Sequence, residues 1–153
     1  PVKILRWIIK KIYPVKKLQD GVHIRFAKGI PIKIHLKESD KIPIIWIRFE
    51  IINGTPLLIR LSEISIRSFR VGRVCLIVDQ VFKDDLYIKD GENKEIYWRL
   101  TFSDGQKQSA IFEAKENKDV IINIDGKVFF STTLYGEISK DFRIGDTIAE
   151  VNI

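Results

Sequence analysis

Cys75, His23 and His35 are the side chains through which this sequence could run nucleophilic or metal-assisted chemistry, and none has the company that chemistry needs. Cys75 is the sole cysteine and sits in the apolar run Val-Cys-Leu-Ile-Val. A nucleophilic thiol needs a histidine or lysine beside it to hold it as thiolate, and none is placed there by the sequence. The residue reads as a small buried hydrophobe. A lone cysteine also rules out an internal disulfide, so a reducing compartment, the cytoplasm, is expected. The two histidines both fall on the polar parity of alternating segments, and no third ligand lies at a recognisable metal spacing. Asp84, Asp85, Asp90 and Glu92 are close enough in sequence to consider calcium, but lysines interrupt them and the alternating acidic pattern is missing. Phosphate-cradling glycine loops, G-x-S-x-G and H-E-x-x-H are absent. We therefore expect no metal, no cofactor and no enzymatic activity.

Charge is distributed more tellingly. The chain has 153 residues and a net charge of +6, with 45% hydrophobic and 30% charged residues. Residues 1–37 hold ten Lys or Arg against one Asp, a net +9, while residues 38–153 sum to −3. An attached basic element is implied, and with it an anionic partner. Residues 1–18 are the source. On a helical period, Val2, Ile4, Leu5, Ile8, Ile9, Ile12 and Tyr13 share one arc. Lys3, Arg6 and Lys10 lie opposite, Trp7 and Lys11 sit near the borders, and Pro14 stops the pattern before Lys16 and Lys17. Apolar side chains, a border tryptophan and six cations without an acid are what a helix lying in a membrane interface requires. Charge breaks the apolar run too often for it to span a bilayer or serve as a signal peptide. The same arc could instead dock on its own domain, on a second copy, or on a partner protein.

The elements carrying this segment are strands. Ile44 to Ile66 forms two apolar runs joined at Asn53-Gly54-Thr55-Pro56. In the first, Ile45, Ile47, Phe49 and Ile51 share a parity opposite Trp46, Arg48, Glu50 and Ile52, the mark of a half-buried strand. Asn53 and Gly54 are expected to supply positive-φ turn residues. Shorter alternating runs cover Val22–Phe26, Ile30–Leu36, Ser62–Val71 and Ile96–Phe102. Val74–Phe82 is nearly all apolar and reads as a central strand, with Lys83-Asp84-Asp85 as a loop and 86–88 as a short strand. Asp104-Gly105 reads as a tight turn with a returning strand at 110–114. Asp125-Gly126, between 120–124 and 128–133, is the strongest hairpin signal, and 147–153 reads as a closing strand. Nine to eleven short strands, with no helix beyond the N-terminus, predict an all-β fold: an antiparallel two-sheet sandwich, immunoglobulin-like or fibronectin-like, with a short N-terminal amphipathic helix.

The stretch WIRFEIINGTPLLIRLSEISIRSFRVG, Trp46 to Gly72, resembles the opening of the late embryogenesis abundant type 2 domain, also called the water-stress and hypersensitive-response domain. Asn53, Pro56 and Gly72 stand where that family has its turn asparagine, its proline and its glycine, with Asn-Gly-Thr-Pro replacing the usual Asn-Pro. VIINIDGKVFF, Val120 to Phe130, is similar to the family's closing hairpin. The resemblance implies a β-sandwich of seven or more strands without enzymatic activity, a link to stress protection and a membrane-associated N-terminal segment.

The sequence is thus divided into a basic amphipathic segment, 1–18, and a sandwich domain, 19–153. The expected function is a non-enzymatic binding or structural module attached to an anionic membrane surface or a partner protein. Lys3, Arg6, Trp7, Lys10, Lys11, Lys16 and Lys17 would make the contact, placing the protein in the cytoplasm or peripherally on the inner face of the membrane, with self-association open. The first alternative is a nucleic-acid-binding domain using Arg25, Lys28, Lys33 and Lys37, where aromatics for base stacking are scarce. The second is a carbohydrate-binding sandwich or an enzyme with a pocket around Trp46, Tyr97 or Arg99. Abundant isoleucine and lysine with no methionine fit a thermophilic protein or an AT-rich genome, and imply an initiator removed before Pro1.

Overall fold

The strand alternation read at the centre of the chain is realised with Ile47, Phe49 and Ile51 fully buried on one face. The structure, a computed structural model, describes residues 2–28, 32–35, 44–101, 104–116 and 119–152. In chain order the elements are α1 (Val2–Ile12), α2 (Val15–Gly21), β1 (Val22–Phe26), β2 (Ile32–His35), β3 (Ile44–Asn53), β4 (Ile59–Val71), β5 (Val74–Ile88), β6 (Asn93–Thr101), α3 (Asp104–Glu116), β7 (Asp119–Ser131) and β8 (Ile138–Asn152).

β3 lies between β1 and β6, antiparallel to both, and forms one sheet with them. The other sheet runs β5–β4–β7–β8–β2. Pairing is antiparallel except between β2 and β8, which run parallel from Ile32 beside Ala149 to His35 beside Asn152. The other edge of β2 meets β3 at only two positions, Ile34 with Ile45 and His35 with Ile44, so the hydrogen-bond network turns the corner from one sheet to the other. The result is the all-β sandwich expected from the sequence, built from eight strands among the described residues, six of them of nine residues or more, rather than nine to eleven short ones.

Between the sheets lies one core. Phe49 stacks on Phe26 with ring centroids 5.8 Å apart and meets the edge of Trp98 at 6.1 Å, and Phe82 closes on Trp98 at 5.8 Å. β4 contributes Ile59, Leu61, Ile64, Ile66, Phe69 and Val71, all buried. The inward residues are three apart at 61–64 and at 66–69, and the ladder shifts register at both places. Each extra residue is absorbed by a bulge that keeps the apolar set facing in. On β5 the second shift falls at Asp79, whose φ of 40° is left-handed.

Several local readings are corrected. β5 is continuous through Lys83-Asp84-Asp85 and ends its sheet instead of lying in the middle. The bulge opposite Leu61/Glu63 accommodates the acids, with the Asp85 amide donating to Asp84 Oδ1 at 2.8 Å. β7 runs straight through Asp125-Gly126. Gly126 is there for space: a Cβ would come 2.3 Å from the Ser65 carbonyl oxygen and 2.7 Å from the Phe142 ring. Likewise β8 is unbroken at Gly145-Asp146. The segment from 104 to 116 is helical, against the expected turn and strand; it is rich in Gln, Lys, Ala and Glu, and docks through the buried Ile111 alone among its described apolar side chains while Phe112 stays exposed. α2 is a second unforeseen helix, and its Leu18 is fully buried in the core.

The Asn53 turn has a different logic from the one expected. Gly54 does not adopt positive φ; its backbone packs against Gly21, where a Cβ would sit 2.9 Å from the Gly21 oxygen, and its amide donates to that oxygen at 2.7 Å. Asn53 is fully buried. Its Nδ2 donates to the carbonyls of Leu57 (2.7 Å) and Ile88 (2.9 Å). Its Oδ1 accepts from the Thr55 amide (2.9 Å) and hydroxyl (2.7 Å). Every side-chain position of the amide is thereby used. The positive-φ requirement falls instead on Gly72, at 57°, in the two-residue turn joining β4 to β5.

Replacing Asn53 with alanine strands its partners in the β3–β4 loop and at the end of β5. Asn53→Ala is expected to lower unfolding stability by about 3 kcal/mol in urea titrations, because each orphaned buried group costs about 1–3 kcal/mol. A loss under about 1 kcal/mol would contradict this role.

Candidate functional site

The basic amphipathic segment forms α1 as its periodicity requires, and Pro14 ends it at Ile12. None of its side chains is buried. Ile4 is 65% exposed, Leu5 59% and Ile12 52%, with Trp7 at 57%. The helix touches the sandwich along another stripe. Arg6 Nη2 donates to the Thr133 carbonyl at 2.9 Å. The Tyr135 hydroxyl donates to the Tyr13 carbonyl at 2.8 Å, with the Lys10 carbonyl 3.3 Å away, and Lys10 Nζ lies 5.1 Å from the Tyr135 ring centre. Ile9 and Tyr13 are half-buried along this side. Arg6, Ile9, Lys10 and Tyr13 thus face the loop between β7 and β8, leaving Ile4, Leu5, Ile8 and Ile12 turned to solvent.

Trp7 and Lys11 border this apolar strip. Lys11 Nζ sits 4.0 Å over the Trp7 ring, and Lys17 Nζ lies 5.0 Å from the Tyr13 ring. Lys3 and Lys16 are exposed. All seven residues singled out for contact therefore lie on the two consecutive helices α1 and α2, the second of which is fixed by Leu18 and by Gln19 donating to the Ser139 carbonyl at 2.7 Å. Lys140, opposite, donates to the Val22 carbonyl at 2.7 Å, and burial pushes its amine down from the usual lysine range while Asp20 opposes that shift. Sequence reading missed Thr133 and Tyr135, which hold α1 from more than 120 residues away; no local pattern announces them.

The rival candidates are arranged differently. Arg25 is bound to Glu50, Nε to Oε2, at 2.7 Å, and Lys28 is exposed. The side chain of Lys33 and the whole of Lys37 lie outside the described residues. On the outer face of the β1–β3–β6 sheet, Arg48 lies over the Tyr97 ring at 4.4 Å. Its Nε is 3.1 Å from Glu95 but misaligned for a hydrogen bond, so that pairing is electrostatic. Trp46 pairs with Arg99 in the ladder, and the Trp46 side chain is not among those described. His23 is exposed; the side chains of His35 and Cys75 are not described. No group of three or more His, Cys, Asp or Glu suited to a metal occurs among the described residues. Asp85 pairs with Arg60 at 2.9 Å and Glu92 with Lys94 at 3.3 Å. No described helix is long and apolar enough to cross a membrane.

No family model and no curated protein matches the sequence. Solved structures do. The fold is similar to the solution structure of a protein from Arabidopsis thaliana, with a TM-score of 0.59 at 9% identity over 84% of this chain and 82% of that one. It is also similar to the solution structure of a protein proposed to be late embryogenesis abundant, with a TM-score of 0.56 at 12% identity over 97% of this chain and 82% of that one. At such identities the likeness is one of fold alone, a β-sandwich.

Glu50 offers a pH test of the sheet beneath. The Arg25 hydrogen bond, helped by Lys28 and Asn93, holds its carboxyl below the usual range against the opposing effect of burial. The unfolded chain therefore takes up the proton first, near about pH 4.3. The stabilisation is present above that value and fades as pH falls through the depressed native pKa. Glu50→Gln should flatten the acid side of the stability–pH curve, measured as urea midpoints below about pH 5; an unchanged slope would refute the assignment.

Proposed function

We propose that this chain is a non-enzymatic β-sandwich module held on an anionic membrane surface by α1. The observation that carries the reading is the exposed strip Ile4, Leu5, Ile8 and Ile12, bordered by Trp7 and Lys11, on a helix the sandwich grips from another side. In water this strip gains nothing. At an interface each fully buried aliphatic side chain is worth about 1.5–3 kcal/mol, and each cation near the head groups adds about 1 kcal/mol. A protein partner would have to cover the same strip, but the exposed Lys3, Lys11 and Lys16, in a segment without an acid, favour lipid phosphate over a mixed-charge protein surface. A stress-related role, implied by the sequence resemblance, and a peripheral location on the inner face of a membrane belong to the same proposal.

Co-sedimentation with vesicles tests it. The full chain should bind phosphatidylserine-containing vesicles, fail to bind pure phosphatidylcholine, and be released by salt. Ile4→Asp and Ile8→Asp should each weaken binding roughly tenfold or more without changing the melting temperature, because neither side chain is buried in the fold. Unaltered binding by both variants, or self-association with no vesicle binding, would overturn the proposal.

A further inference from the structure

Beside α1, at the end of the sandwich, a cleft of about 160 Å³ is lined by Leu58, Arg60, Tyr87, Ser131, Thr132 and Thr133. Its lining sets one arginine and three hydroxyl side chains beside Leu58 and the Tyr87 ring. Arg60 lies along one wall, 6.0 Å from the Tyr87 ring, with Asp85 as its counter-ion. That ion pair is open to water, the Arg60 side chain 49% and Asp85 61% exposed, so it is weak and an incoming anion can compete for the guanidinium. On the facing wall, the carbonyl of Thr133 accepts from Arg6, which brings a second guanidinium to the rim. Thr132 Oγ1 already accepts from the amides of Leu134 (3.3 Å) and Tyr135 (3.1 Å), which leaves its O–H as a donor. Leu58 and Tyr87 are exposed large apolar side chains on the same lip.

We propose that this cleft binds a phosphate group, with Arg60 as the principal ligand, Thr132 as hydroxyl donor and Arg6 at the rim. Guanidinium and hydroxyl donors converging on one small opening match the tetrahedral oxygens of phosphate, and charge-assisted bonds of this kind are the strong ones. The proposal deepens the membrane reading and rests on it where lipid is the source: with the apolar strip of α1 in the interface, the phosphate would arrive on a lipid head group. The same chemistry would accept a free phosphate ester.

Two arms separate these sources. In the first, glycerol 3-phosphate is titrated into the full chain and amide shifts are followed by NMR. Saturable shifts at Tyr87 and 131–133 are expected, weakened roughly tenfold in Arg60→Gln and strengthened in Asp85→Asn, which releases the guanidinium. Absent shifts, or the same affinity in wild type and both variants, would overturn the site. In the second arm, vesicles carrying phosphatidic acid are compared with phosphatidylserine vesicles matched in surface charge. A preference for phosphatidic acid that Arg60→Gln abolishes supports the lipid source; no preference, with shifts retained in the first arm, supports a free phosphate ester. Failure of the α1 reading appears separately, as a wild-type chain that sediments with neither vesicle while the NMR shifts persist.

Discussion

Asn53 brings four hydrogen-bonding positions into a place with no water, and the sandwich is joined where those positions are met. Its amide hydrogens hold the carbonyls of Leu57, at the entry to β4, and Ile88, at the end of β5. Its backbone accepts from Gly91 and donates to Glu92 in the turn that carries the chain back to β6. The neighbouring Gly54 amide binds Gly21, where α2 passes into β1. The connections β3–β4 and β5–β6, both of which move the chain between sheets, are thus tied to a single residue. A buried amide left half satisfied would cost more than it gives; fully satisfied, it fixes one arrangement.

α1 stays outside that arrangement. The end of the core is already closed by Leu18 from α2, beside Val22 and the isoleucines of β3. The sandwich takes α1 by polar contacts to Thr133 and Tyr135 and by half-buried Ile9 and Tyr13. The result is an apolar strip with no partner within the described fold, edged by Trp7 and Lys11. The phosphate cleft borders the same loop, so both proposed contacts with an anionic surface converge on one end of the molecule.

Much of the architecture was legible because strand alternation is enforced by a one-sided core. Ile47, Phe49 and Ile51 announced β3, and Ile96 and Trp98 announced β6. What failed was punctuation. Asp125-Gly126 has the composition of a hairpin turn, yet the glycine answers to the Phe142 ring on the neighbouring strand, a contact no local pattern records. Lys83-Asp84-Asp85 looked like a loop because charge in a central strand is forbidden, but β5 is at an edge, where charge is welcome. α3 was missed because a short run of two apolar residues, Ile111 and Phe112, resembles a strand when its capping and helix-forming neighbours are discounted. The amphipathic period of α1 was readable from the sequence alone; the exposure of Ile4, Leu5 and Ile12 was not.

The central claim is that the apolar strip of α1 enters an anionic lipid surface while the sandwich stays folded above it. Quenching of tryptophan fluorescence by bromines placed along the acyl chains of anionic vesicles tests this most directly, with Trp7→Phe as control. Trp98 lies in the core and Trp7 on α1. The account expects quenching strongest for bromines nearest the head groups in the wild-type chain and its loss in Trp7→Phe. Quenching that persists undiminished in Trp7→Phe, or its absence in the wild-type chain, would contradict the account.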